Sequence, residues 1–138
     1  MKYLLDTNAA SAIMKGDPRV LERLRSVPRE DVGLPQPVAA ELAYGIERLS
    51  ASRRQEHLQA RFALILQEIP RISWDDNVSR RFGAIKASLE RAGERIEDFD
   101  VAIAAHALAT DATVVTANFS HLGRIRGLRV EDWGRPRP

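Results

Sequence analysis

The chain has 138 residues, 44% hydrophobic and 29% charged, with a net charge of +2, a balance that suits one globular domain and excludes disordered or fibrous classes. Cysteine is absent, which rules out disulfide scaffolds, thiolate metal sites and thiol nucleophiles together. No stretch has the length and apolarity of a signal peptide or membrane span, so a cytoplasmic protein without a membrane partner is expected.

In chain order, Lys2 to Leu5 reads as a short apolar strand that stops on Asp6, followed by Thr7 and Asn8 and a short helix from Ala9 to Lys15. Gly16 and Asp17 break the chain, and Pro18 suits the first turn of a second helix carrying Val20, Leu21 and Leu24 as far as Pro28. Asp31 to Leu34 is the second strand, closed by a Pro35-Gln36-Pro37 turn, and Pro37 opens a helix to Leu49. Ala51 to Ile69 is a long charged helix with Leu58, Phe62, Ile65 and Ile69 spaced by three and four. Arg71 to Trp74 forms a third strand. Asp75 or Asp76 caps a helix through Ala92 that Gly93 ends. The helix from Asp98 to Ala109 carries the run VAIAAHALA and belongs inside. Thr113 to Thr116 is a β-branched strand, and Leu128 to Val130 a last short one.

Short apolar strands alternating with helices predict a three-layer α/β fold, its mostly parallel central sheet of about five strands flanked by helices. One domain spans residues 1–133, and the GRPRP tail at 134–138 has little to order it. In such sheets a ligand binds beyond the carboxyl ends of the strands, where the strand order reverses. Asp6 ends the first strand. Glu41 lies at the edge of the inward stripe of Val38, Leu42, Gly45, Ile46 and Leu49, whereas Glu47 faces water. Asp100 stands in the first turn of the buried helix, and Thr116 and Asn118 follow the fourth strand as Asp6 and Asn8 follow the first.

Each acid also has a structural reading: Asp6 as a helix cap, Asp98 or Asp100 held by a helix dipole, Glu41 paired with an arginine. Their delivery to one edge from separate segments favours chemistry. Converging carboxylates without thiol or lysine partners suit Mg²⁺ or Mn²⁺, which prefer oxygen ligands and hydrolyse phosphodiesters through bound water. Eighteen of the 21 basic residues are arginine, whose planar fork suits phosphate. Arg124, Arg126 and Arg129 are candidates to hold flanking phosphates, although solvated surface accounts for any one of them. His106 and His121 are set aside as packing or surface residues, and Trp74, Trp133, Phe99 and Phe119 are assigned to the core instead of to base stacking.

LLDTN, the ELAYGIERL helix, DVAIAAHAL and VVTANFSHLGRIRGLRVEDW, in this order, resemble the PIN-domain ribonucleases, specifically the VapC toxins of VapBC toxin-antitoxin pairs, over residues 1–133. The resemblance implies a five-stranded PIN fold, a homodimer, and Mg²⁺- or Mn²⁺-dependent cleavage of RNA. It implies that Asp6, Glu41 and Asp100 hold the metal and are catalytic. Thr7, Asn8 and Thr116 support the site by the same correspondence. Asn118 stands where many PIN nucleases carry a fourth aspartate, which weakens a second metal position. A VapB-like antitoxin is the implied partner, laying a basic side chain across the acids.

The alternative from another class is a PIN-like module that binds RNA or a partner without cutting. Carboxylates lining a phosphate cleft argue against it, because they repel the ligand in the absence of a cation. A phosphatase of the haloacid-dehalogenase type needs a second aspartate where Asn8 stands.

Overall fold

A computed structural model describes residues 1–136 of the chain. The elements are β1 (Tyr3–Leu5), α1 (Thr7–Met14), α2 (Pro18–Ser26), β2 (Val32–Pro35), α3 (Gln36–Glu47), α4 (Arg53–Glu68), β3 (Arg71–Ile72), α5 (Asp76–Arg91), α6 (Asp98–Thr110), β4 (Thr113–Val115), α7 (Phe119–Leu122) and β5 (Val130–Glu131). The five strands form one sheet in the order β3-β2-β1-β4-β5, and every pairing is parallel.

A parallel sheet covered by helices on both faces needs strands that are apolar throughout, and the central sequences YLL, VGLP and TVV meet that demand. Leu4, Leu5, Leu34 and Val114 are fully buried. From β1 the chain moves outward to β2 and β3, then returns to place β4 on the other side of β1. The reversal therefore falls between β1 and β4, whose ends are locked by Leu5 opposite Val115 and by the Asp6 amide donating to the Val115 carbonyl at 3.1 Å. The cleft that α/β sheets use for ligands opens there.

Local chemistry sets the helix starts. The side chains of Asp6, Asp17, Ser52 and Asp75 cap α1, α2, α4 and α5 by accepting backbone amides, each cap worth about 1 kcal/mol. Residues 101–107 of α6 are all buried, and the four alanines among them let neighbouring elements pack closely around the helix. α6 ends on Asp111 at φ 54°, a left-handed position that aspartate tolerates. Arg129 braces that residue, with Nη1 3.0 Å from Asp111 Oδ1 and Nη2 donating to the Asp111 carbonyl.

Several boundaries differ from expectation. Pro35 does not make a turn. It ends β2 in an extended conformation and α3 begins at once, with Pro37 in the first turn. Helix α1 starts at Thr7, two residues early, because Asp6 itself is the cap. β3 is only two residues long, and β5 lies two residues later than the sequence indicates. At NFSHL the chain forms a short helix, α7.

Trp133 is buried edge-on to Tyr3, with centroids 5.4 Å apart, and its Nε1 donates to Glu131 Oε1 at 3.0 Å. Arg23 of α2 pairs with the same Glu131 carboxylate. Beyond it, Asp132 accepts the Gly134 amide at 2.8 Å and pairs with Arg135 Nε at 3.1 Å. The end of the expected loose tail, residues 137–138, lies outside the described residues.

Candidate active site

Asp6 leaves the carboxyl end of β1 at the point of reversal, and it is 4% exposed. Its Oδ1 accepts the Ala9 amide at 2.8 Å, and the Thr116 hydroxyl, at the end of β4, binds its carboxyl group. Burial pushes the Asp6 carboxyl above the ordinary carboxylate value, these two hydrogen bonds offset part of that, and the charges of Asp100 and Glu41 push it further upward. Asp100, half-buried in the first turn of α6, is raised as well, by burial first. The neighbouring His121 offsets part of that rise, and Glu97 adds to it.

Glu41 projects from α3, and the Thr7 hydroxyl donates to its Oε1 at 2.5 Å. One dipeptide thus serves two acids: Asp6 is an acid of the cleft, and Thr7 anchors another from a helix 34 residues on. Thr116 is buried, and its Oγ1 accepts the Asn118 amide at 2.8 Å. Asn118 in turn faces His121, whose Nδ1 is 3.8 Å from Asp100 Oδ2. Asn8 is exposed and lines a small cavity of about 120 Å³ with Thr116, Asp17 and Asp132.

The structure therefore brings Asp6, Glu41, Asp100, Thr7, Thr116 and Asn118 into one neighbourhood. Asn8 sits at its margin. His121, which sequence reasoning set aside, belongs to the cluster. Its approach to Asp100 links residues 21 positions apart and leaves no local pattern. His106 is a packing residue as expected: it is fully buried, with Nδ1 bonded to the Ala102 carbonyl at 2.7 Å, and burial lowers its pKa.

Two other expectations change. Arg129 braces Asp111 and Thr113 at the amino-terminal end of β4, so it lies at the opposite edge of the sheet from the acids. Arg124 and Arg126 are exposed. Of the four aromatics assigned to the core, only Trp133 is buried; Trp74, Phe99 and Phe119 are 43%, 46% and 36% exposed.

The charges of Asp100 and Glu41 both push the Asp6 carboxyl upward, an arrangement that a divalent cation stabilises. The donors are oxygens, which suits Mg²⁺ or Mn²⁺. Among the described residues, no three Asp, Glu or His side chains are close enough to enclose an ion by themselves. An ion that keeps several waters and takes only one or two carboxylates directly fits such an open arrangement.

A PIN domain model matches residues 3–126 of the chain. Ribonuclease VapC2 of Rickettsia felis is 31% identical over 137 residues, which is 98% of this chain and 100% of that protein. The tRNA(fMet)-specific endonuclease VapC of Salmonella typhimurium is 29% identical over 133 residues, 96% of this chain and 98% of its own. Among solved structures, DNA-bound VapBC from Salmonella typhimurium matches with a TM-score of 0.87 at 30% identity, covering 96% of this chain and 98% of that one.

Proposed function

The chain belongs to the PIN-domain family and, within it, to the VapC ribonucleases, and from that footing we propose that it is the toxin of a VapBC-type pair, a divalent-metal-dependent endoribonuclease. The observation that carries the reading is the convergence of Asp6, Asp100 and Glu41 at the reversal of the sheet, with the first two held at raised proton affinity by burial and by neighbouring acids.

In this reading Asp6 and Asp100 hold Mg²⁺ or Mn²⁺, and Glu41 contributes directly or through a water. A bound ion of this kind lowers the pKa of its water toward neutrality and offsets charge on the phosphate under attack. The chain's own residues prepare the site. Thr116 and the Ala9 amide fix the Asp6 carboxylate, so its lone pairs point one way before any ligand arrives. Thr7 restrains Glu41, sparing the side-chain entropy a free glutamate loses on binding. Arg124 and Arg126 hold flanking phosphates, contacts that position RNA without reading its sequence.

The partner proposed is a VapB-like antitoxin, by likeness to the VapBC structure matched above, and in this reading it sets a basic side chain against the three acids. Charge complementarity supports this, because a cation from the antitoxin offsets the same repulsion as the metal. A homodimer acting in the cytoplasm completes the reading, and sedimentation velocity of the purified protein checks its oligomeric part. The decisive test of the toxin role is induction in a host cell followed by sequencing of newly formed RNA ends. Growth arrest with discrete new ends, both abolished by Asp100→Asn and by co-expression of the antitoxin, is the expected result. Arrest without new ends would sink the ribonuclease assignment.

A further inference from the structure

Four aromatic side chains are exposed among the described residues, Tyr44, Trp74, Phe99 and Phe119. Of these, only Tyr44 and Phe119 carry a stacked cation: the Arg48 guanidinium lies 6.0 Å from the Tyr44 ring centroid, and that of Arg135 lies 5.5 Å from the Phe119 centroid. The same two rings stand beside cleft residues. Tyr44 is 67% exposed and follows Glu41 by three positions on α3, a spacing that puts their Cβ atoms about 5–6 Å apart. Phe119 follows Asn118, whose amide is held by Thr116 at the end of β4. Helix α3 follows β2, α7 follows β4, and β1 with Asp6 runs between these two strands. The ring and arginine pairs therefore flank the acids from opposite sides, on elements whose strands lie two spacings, or about 10 Å, apart.

We infer that Tyr44 and Phe119 are positioning residues for RNA, each stacking a nucleobase on its own side of the scissile phosphate, with Arg48 and Arg135 holding the phosphates next to those bases. The inference rests on the ribonuclease reading and adds the means by which a strand is held across the acids. An arginine over one face of a ring leaves the other face for a base, and arginine and aromatic side chains placed together hold an unpaired strand by charge and stacking at once. A duplex keeps its bases inside its own stack and gains nothing from these rings. Charge favours RNA over the antitoxin as the occupant. A peptide that brings a basic side chain to the acids meets Arg48 and Arg135 as like charges, whereas a phosphodiester backbone meets them as opposite ones. Because stacking accepts any base, the rings govern how tightly RNA is held and not which base is cut.

The test uses the full-length protein with Mn²⁺ and a labelled tRNA pool, and compares Tyr44→Leu with Tyr44→Trp and Phe119→Leu with Phe119→Trp. Leucine keeps an apolar side chain without a flat face, and tryptophan keeps the face. Each leucine variant is expected to raise KM about tenfold at every cleavage site, the scale of a lost base stack, with kcat and Tm steady, and each tryptophan variant to restore it. A second readout needs no turnover. A short unpaired RNA carrying 2-aminopurine should lose fluorescence on binding the Asp100→Asn protein, as the analogue stacks, and keep it when Tyr44→Leu and Phe119→Leu are added to that protein. Leucine variants with the KM of the wild type, or leucine and tryptophan variants that behave alike, overturn the inference, while cleavage by the wild type leaves the ribonuclease reading standing. A leucine variant that weakens antitoxin binding and not RNA cleavage also overturns it, and gives the surface to the antitoxin. A wild type that cuts no RNA removes the ribonuclease reading, and this inference with it.

Discussion

Asp6 does two jobs that substitution separates: its oxygen caps α1, and its charge sits buried among other acids. Asparagine keeps the cap acceptor and removes the charge; alanine removes both. Asparagine and aspartate cap equally well, and losing the cap costs about 1 kcal/mol. Over 138 residues, at roughly 2.1 cal/mol/K per residue, that becomes about 3 °C in Tm. With a chelator present, Asp6→Asn should melt above the wild type, because burial and the Asp100 and Glu41 charges disfavour the ionised carboxyl. Asp6→Ala should melt about 3 °C below Asp6→Asn for want of the cap. Adding Mn²⁺ to about a hundred times its Kd should raise the wild type by about 2.7 kcal/mol, or about 9 °C, and neither variant. Differential scanning calorimetry in EDTA and in Mn²⁺ reads all three. An Asp6→Asn protein less stable than the wild type in EDTA refutes the reasoning, because the charge is then favourably paired and structural.

Three further predictions address pH, geometry and packing. Asp6 and Asp100 both have folded pKa values raised above the ordinary 3.8, so the folded state binds more protons. Their contribution to metal-free stability is lost as pH rises from about the ordinary value through the folded ones. Urea midpoints of the wild type minus those of the Asp6→Asn, Asp100→Asn double variant should become more negative from pH 4 toward neutrality, and Mn²⁺ should reduce that trend. Thr7→Val removes the donor to Glu41, a bond worth about 1 kcal/mol, so kcat should fall about fivefold with KM steady, and Thr7→Ser should restore it. Ile103→Ala, in the buried stretch of α6, should cost about 3 kcal/mol, or about 10 °C in Tm, with metal affinity at 20 °C preserved.

Much of the site was legible because local sequence and chemistry agree. A two-leucine run ending on Asp6 marks a buried strand that delivers an acid, and the VAIAAHALA run marks a helix with Asp100 at its mouth. Helical phase places Glu41 at the edge of the inward stripe of α3 but leaves its partner open. The rest depends on pairings distant in sequence. That β4 lies beside β1, so that Thr116 reaches Asp6, is fixed by the strand order and no local pattern encodes it. Proline misled at residue 35, because its fixed φ serves a strand end as well as a turn. α7 is a single turn, too short to leave a period. His121 and Arg129 show the same limit in opposite senses: each looked like surface or rim until its partner, Asp100 or Asp111, was placed.

The central claim, that these acids form a metal-dependent ribonuclease site, is tested most directly by cleavage of a labelled total-tRNA pool by the purified protein. The comparison is Mg²⁺ or Mn²⁺ against EDTA, with Asp6→Asn and Asp100→Asn alongside. The account predicts discrete products only with metal and only from the wild type, with both variants folded. Cleavage that persists in EDTA, or in folded Asp6→Asn and Asp100→Asn proteins, would contradict it.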